Sequence, residues 1–426
     1  MCRCFFLVVA GCMCLSSPAA VCVEELENVV VFGRTREGKL FYSPGEKMTF
    51  EISFVYEGNA PTGTYWYIGR RCGDDGKDEK LWLPISAEKP IVYETSLDRP
   101  GFVQVLGVVV TDKKQNIKMK NNGFYGGAGV KIDECATLPE PADFDAFWAR
   151  QKAKLKSVPV RAEIKDAVGK NPEVARSYEV RIDCAGPRPV TGYLQIPIDE
   201  KKKKYPIRVV FDGYGVHMPR NAGTGGSSAI FFKVNAHGID LGKGEEFRKA
   251  FAESIMSNGK GYALDPIQNS DPEKAYFNGM ALRVMRALEW VKTVKEWNGR
   301  DLEVTGSSQG GLQALWAAAL DHDVTACTVH VPWCCGLGLG KLGYLRGGPE
   351  WVDALGYYDG VNMARRIPKS CAVRIGRAGL GDTVCPPTGI ACLYNALTAP
   401  KRILWMQGST HSYKPSVKEN QTAEFK

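Results

Sequence analysis

The chain has 426 residues, 44% hydrophobic and 24% charged, with a formal net charge of +8. That balance belongs to an ordinary globular protein and excludes a largely disordered chain, a collagen-like one and a membrane bundle. So small an excess of positive charge over this length gives no ground for a nucleic-acid partner, and the one basic block, Lys201 to Lys204, reads as a solvated loop.

The first residues read as an export signal. Arg3 precedes the apolar run Phe5 to Ala10, and small residues at Ser17 and Ala19 suit cleavage near Ala19 or Ala20. A signal peptide over 1–20 and an exported protein, periplasmic or secreted, are therefore expected. Val9-Ala10-Gly11-Cys12 also resembles a bacterial lipoprotein box, which would leave a lipid on Cys12. The apolar run before Cys12 is short for that, so plain cleavage is preferred. The run is far below the ~20 residues needed to span a bilayer. The 14 cysteines show no paired C-x-x-C zinc spacing, so a structural metal is not expected. Most lie in apolar contexts that suit small core residues.

Residues 23–134 form the first expected domain. Lys47 to Tyr56 alternates apolar and polar residues, and Tyr65 to Ile68, Ile91 to Leu97 and Phe102 to Thr111 are further strands. Turns at Ser43-Pro44-Gly45, Gly73-Asp74-Asp75-Gly76 and Arg99-Pro100-Gly101 separate them. Short strands at this spacing predict an immunoglobulin-like β-sandwich. The domain has no histidine.

The texture changes near Thr137-Leu138-Pro139, and residues 135–426 form the second expected domain. Ala142 to Leu155 reads as an amphipathic helix led by Phe144, Phe147 and Trp148. Strands at Arg208 to Phe211, Leu302 to Thr305, Thr325 to Val331, Ala372 to Ile375 and Ile403 to Met406 follow. Helices at Glu273 to Lys295 and Leu312 to Leu320 lie among them. This alternation predicts a mostly parallel sheet with helices on both faces. The second domain is expected to fold and act without the first.

Gly306-Ser307-Ser308-Gln309-Gly310 joins a strand directly to a helix, which is the context of a nucleophile elbow. Small neighbours permit the sharp turn, and the Gln309 amide at the helix start can donate to an oxyanion. A Ser/Gly-rich capping turn without catalysis is the plainer alternative. Of five histidines only His322, His330 and His411 follow Ser308. His322 reads as a surface cap and His330 as a strand residue, whereas His411 lies in the loop after the last strand, where a base could reach the sheet edge. Asp382 lies in the loop after the strand Ala372 to Ile375, at the carboxyl end of the sheet. Asp359, its rival, precedes that strand. Asp212-Gly213-Tyr214-Gly215 follows an early strand, and the Tyr214 amide is the expected second oxyanion donor. Trp333, Tyr344 and Trp351 either line an acyl or sugar pocket or pack as core and lid aromatics.

These residues, together with Asp143 to Trp148, Arg188-Pro189-Val190-Thr191-Gly192-Tyr193-Leu194, Val331-Pro332-Trp333 and Asp382-Thr383-Val384-Cys385-Pro386-Pro387, resemble carbohydrate esterase family seven, the acetyl xylan esterase and cephalosporin C deacetylase group. The resemblance runs from about Pro141 to Ser412. It implies an α/β-hydrolase that deacetylates sugar hydroxyls, with Ser308, Asp382 and His411 as the triad and the Tyr214 and Gln309 amides as the oxyanion hole. It implies no metal and no organic cofactor, an acetylated carbohydrate as partner, and a homo-oligomer. Two features depart from the family. Asp212 stands where histidine is usual, and Asn235-Ala236-His237-Gly238, after the Gly223 to Ser228 segment, stands near the usual Arg-Gly-Gln. A serine peptidase or broad esterase on the same fold, and a decayed glycan-binding protein, are the competing functions.

Overall fold

The computed structural model describes residues 24–112, 114–199, 203–217, 228–415 and 420–426. The expected leader, Cys12, Lys201, Lys202 and residues 223–227 of the Gly/Ser-rich segment lie outside the described residues. Nine strands form the first half: β1 (Glu24–Thr35), β2 (Phe41–Tyr42), β3 (Met48–Tyr56), β4 (Tyr65–Gly73), β5 (Asp78–Ile85), β6 (Ile91–Thr95), β7 (Gly101–Val110), β8 (Ile117–Asn121) and β9 (Gly123–Val130). They make one sheet in the order β6-β3-β1-β8 and a second in the order β2-β9-β7-β4-β5. Alternation drives the pairing. Phe50, Ile52 and Phe54 of β3 turn inward with Val29 and Val31 of β1, and meet Tyr67, Val103, Val105 and Phe124 of the other sheet. The result is a two-sheet sandwich with one shared apolar layer.

The second half is an α/β-hydrolase. It runs α1 (Phe144–Lys156), β10 (Ala162–Ala167), β11 (Ala175–Ile182), β12 (Val190–Pro197), β13 (Tyr205–Phe211), β14 (Ile230–Val234), α2 (Glu245–Ser254), α3 (Pro266–Asn269), α4 (Tyr276–Val291), β15 (Trp297–Ser307), α5 (Gln309–Leu320), β16 (Ala326–His330), α6 (Gly360–Ala364), β17 (Ala372–Gly379), α7 (Pro387–Ala396), β18 (Lys401–Met406) and β19 (Thr422–Phe425). The ten strands lie in the order β10-β11-β12-β14-β13-β15-β16-β17-β18-β19. The strands from β14 to β18 run parallel to one another. From β13 the chain turns first to β14 on one side and then to β15 on the other. The carboxyl ends of β13 and β15 therefore flank a switch point, the place where open α/β sheets bind ligands. The long helix expected over Glu273 to Lys295 is shorter, Tyr276–Val291, because the Ser-Asp-Pro stretch before it and the Lys-Thr-Val-Lys stretch after it form turns.

Phe144, Phe147 and Trp148 of α1 pack on the hydrolase half. Phe147 lies 4.3 Å from the Tyr357 ring centroid, and the Trp148 indole donates to the Tyr357 carbonyl. The two halves are nevertheless joined by a dense polar seam. The Gln104 amide of β7 donates to the carbonyls of Leu380 (2.8 Å) and Asp382 (3.1 Å). Gln407 exchanges two hydrogen bonds with the Gly127 backbone of β9. Asp74 accepts from the amides of Phe102 and Leu345 and from the Thr388 hydroxyl. Its burial pushes its carboxyl up to about 6. Gln421 pairs with both backbone groups of Thr35. Leu40 and Phe102 of the sandwich belong to the hydrolase's own apolar core, and Phe102 lies 5.3 Å from Trp405. The nine described cysteines are all free thiols, seven of them buried, in keeping with core packing. Among the described residues no helix is long and apolar enough to cross a membrane.

Candidate active site

Ser308 sits between β15 and α5 with φ 56° and ψ −122°, a strained conformation for a residue with a side chain. The neighbouring glycines make it possible. A Cβ on Gly306 would lie 2.3 Å from the Gly310 carbonyl carbon, and one on Gly310 would lie 2.2 Å from the Phe211 oxygen. The turn is pinned by the Ser308 amide donating to the His330 carbonyl, and by the amides of Leu312 and Trp333 donating to the Ser308 carbonyl.

His411 brings the other two groups into line. Its Nε2 is 3.0 Å from Ser308 Oγ and its Nδ1 is 3.0 Å from Asp382 Oδ2. A carboxylate only accepts, so Nδ1 carries the proton and the Nε2 lone pair faces the serine hydroxyl. Asp382 is fully buried, and its Oδ1 accepts from the amides of Val384 (2.9 Å) and Cys385 (2.8 Å). Arg377 donates to the His411 carbonyl, which fixes the loop after β18. Such a line can take a proton from the hydroxyl while the carboxylate holds the imidazole tautomer. The acid loop is also gripped from outside, since the two carbonyls that Gln104 binds are those of Leu380 and of Asp382 itself.

Gln309 opens α5, so its amide is among the first-turn donors without an intrahelical acceptor. The loop after β13 runs against the same turn, with the Gln313 side chain reaching the Asp212 carbonyl. Tyr214 is clamped there: its ring stacks on Tyr262 at 4.4 Å and meets Trp333 edge-on. The Tyr262 hydroxyl joins the two expected donors' surroundings, accepting from the Gly215 amide at 2.7 Å and donating to Gln309 Oε1 at 2.8 Å.

His237 was the residue whose role the sequence left unread. It is buried, with Nε2 3.1 Å from the Gly215 carbonyl and Nδ1 2.9 Å from the Tyr276 hydroxyl. The carbonyl can only accept, so Nε2 carries the proton and Tyr276 donates to Nδ1. Burial holds its pKa down to about 3, so it is a neutral brace under the loop that carries Tyr214. Its signal was the departure at Asn235 to Gly238. Asp212, the other departure, pairs with Lys233 at 3.1 Å.

Of the rejected candidates, Asp359 has structural work instead. Asp359 is buried and caps α6, accepting from the amides of Val361, Gly336 and Leu337. His322 is exposed, and His330 is half-buried at the end of β16. Trp333 forms the wall beside Tyr214 and Phe277. Tyr344 lies under the Arg99 guanidinium of the sandwich at 4.3 Å, and Trp351 packs near Gly356. Among the described contacts neither Tyr344 nor Trp351 meets Ser308, His411 or Asp382. Cys385 is the third potential ligand beside Asp382 and His411, but it is a fully buried thiol held high in pKa by desolvation, and the Asp382 oxygens are already engaged.

Residues 134–338 and 348–426 match the family model described as acetyl xylan esterase (AXE1). Acetyl esterase Axe7A of Xylanibacter ruminicola is 29% identical over 381 residues, spanning 85% of this chain and 82% of that protein. Two solved structures share the fold. An acetyl xylan esterase from Paenibacillus sp. R4 has a TM-score of 0.56 at 24% identity, covering 68% of this chain and 96% of its own. Acetyl xylan esterase 1 from Thermoanaerobacterium sp. JW/SL YS485 has a TM-score of 0.54 at 21% identity, covering 68% of this chain and 95% of its own. With the family model covering well over half of its length, this chain belongs to the acetyl xylan esterase family of carboxylic ester hydrolases.

Proposed function

We propose that this protein is an exported serine esterase that removes acetyl groups from sugar hydroxyls through Ser308, His411 and Asp382. The observation that carries this reading is the hydrogen-bonded line from Ser308 through His411 to Asp382 at the switch point of the sheet. Ser308 Oγ attacks the acetyl carbonyl as His411 Nε2 takes its proton. The Tyr214 and Gln309 amides receive the oxyanion. His411 then returns the proton to the departing sugar oxygen, and the acetyl-enzyme is left. Water enters, gives a proton to His411 and attacks the acyl carbon. Collapse releases acetate and restores the serine. Asp382 holds the His411 tautomer and stabilises the imidazolium. None of these steps calls on a metal or organic cofactor. An acetylated carbohydrate follows from the family and from the Xylanibacter ruminicola relative, whose name describes an acetyl esterase. The leader-like first residues support export.

The deciding measurement is acetate release from acetylated xylo-oligosaccharide by the intact protein and by Ser308→Ala. The variant should fold normally and lose activity by at least about a thousandfold, as expected when a triad nucleophile is removed. Retention of more than about a tenth of the activity would remove Ser308 from the mechanism.

A further inference from the structure

Helix α4 buries two arginines one turn apart, and only one of them has a carboxylate partner. Arg286 donates to the carbonyls of Leu155 and Val158 and pairs with Glu289 at 3.2 Å. Arg283 is 1% exposed. Its Nε donates to the Ala236 carbonyl, but its Nη1 has no acceptor. Among the described residues no carboxylate pairs with Arg283. The same holds for Arg188, which donates to the His237 carbonyl and the Tyr276 hydroxyl. An isolated buried guanidinium is costly, and proteins seldom keep one without an anion. Burial indeed holds Arg283 down to about 10.

Both arginines line one pocket of about 580 Å³ at the N-terminus of α4. That volume is within the usual range for small-molecule sites. Gly279 keeps the space before Arg283 open: a Cβ there would lie 3.4 Å from Nη1 and 3.5 Å from Pro187 Cδ. Lys154 and Lys274 add positive charge at the rim, and Glu273 is the lining's one carboxylate. Glu273 lies 3.8 Å from Lys154 and Lys274 is paired with Asp271, so neither neutralises the arginines. The positive end of the α4 dipole points the same way. Gln268, also in the lining, has a buried Oε1 with no donor. A carboxylate cannot satisfy that oxygen, whereas a hydroxyl can. A neutral sugar would leave Arg283 unmatched, and a fully ionised phosphate would leave Gln268 unmatched.

We propose that this pocket is a second binding site, for a sugar acid whose carboxylate meets Arg188 and Arg283 and whose hydroxyls meet Gln268. The carboxylate comes either from a free uronate or from a uronate branch on a polysaccharide. The site is distinct from Ser308, and binding is measured without turnover, so its failure and that of the esterase reading are separable.

Titration calorimetry on the full chain should show D-glucuronate binding at one per chain, with D-glucose and inorganic phosphate at least about tenfold weaker. Arg283→Met and Gly279→Ala should each weaken glucuronate by about tenfold or more, the second by filling the space before Nη1 in a helix that favours alanine. An unacetylated xylo-oligosaccharide with one glucuronate branch, set against its unbranched counterpart, identifies the source. Tighter binding than free glucuronate assigns a polymer branch, and weaker binding assigns a soluble sugar acid. No glucuronate binding at millimolar concentration, phosphate binding as tightly as glucuronate, or unchanged affinity in folded Gly279→Ala would each overturn the proposal.

Discussion

The loops that carry Ser308 and Asp382 are held in opposite ways. The serine turn is self-contained. Its strand, helix and glycines are consecutive in sequence, and its hydrogen bonds go to hydrolase residues such as His330, Leu312 and Trp333. The acid loop leans on another domain. Gln104 holds its carbonyls, and a Cβ on Gly381 would lie 1.9 Å from the Tyr125 oxygen of β9. One half of the proposed machinery is thus a local motif, and the other half is completed by a sandwich with no candidate catalytic side chain. A domain can serve catalysis by fixing a backbone it never shares.

That difference can be broken most severely by deleting the sandwich. Expectation from sequence alone favoured a self-sufficient hydrolase, but the seam around Asp74, Gln104 and Gln407 points the other way. A chain beginning near Cys135 should be insoluble, or soluble and inactive on p-nitrophenyl acetate, because Trp405 and the acid loop lose their cover. Normal activity of that fragment would show that the seam is dispensable. Next in size is Asp382→Asn, which should lower kcat by a factor on the order of 10⁴ by offering His411 the wrong partner. Asp359→Asn should leave kcat within a few-fold and lower thermal stability instead, since that carboxylate caps α6. A reversal of these two results would exchange their roles.

A gentler probe is Gln104→Leu. It leaves two buried carbonyls without their donor, at a cost of about 1–3 kcal/mol. We expect kcat to fall by about tenfold with KM little changed, because the acid is displaced and the acyl site is not. Equal loss in both parameters would point to a general distortion. The smallest effect concerns the brace under Tyr214. His237 binds a proton less readily folded, at about 3, than its ordinary value of 6.5. Between those pH values the unfolded chain holds more protons. This group's contribution to stability is therefore complete above about pH 6.5 and is lost on acidification, at up to about 1.4 kcal/mol per pH unit. Denaturant titrations from pH 7 to pH 5 should show a slope that is shallower by one proton in His237→Gln.

The same contrast governs what could be read from the sequence. The serine turn was legible because strand, glycines and helix are adjacent, and His411 because so few histidines follow Ser308. Asp382 was legible from its place after a parallel strand. The seam was not. Gln104 and Leu380 are 276 residues apart, and a glutamine in a strand carries no mark of its partner. Strand β9 is obscure in the sequence for a related reason. Its glycines weaken the strand pattern, yet a Cβ on Gly126 would lie 2.2 Å from Gln407 Oε1. The composition that hides the strand is what lets the hydrolase dock on it. His237 was concealed because a neutral buried histidine looks the same in sequence as a titrating one.

The pairing of Gln421 with Thr35 spans 386 residues and so sets a schedule for synthesis. At roughly 5–20 residues per second, a ribosome needs roughly 20–80 s to travel between them. Throughout that interval the growing polypeptide carries a completed first strand whose Thr35 backbone awaits a clasp that does not yet exist. His411 likewise follows Ser308 by 103 residues. On the proposed mechanism, the growing polypeptide therefore has its serine turn well before it has its base, and ester cleavage waits for that later stretch to emerge.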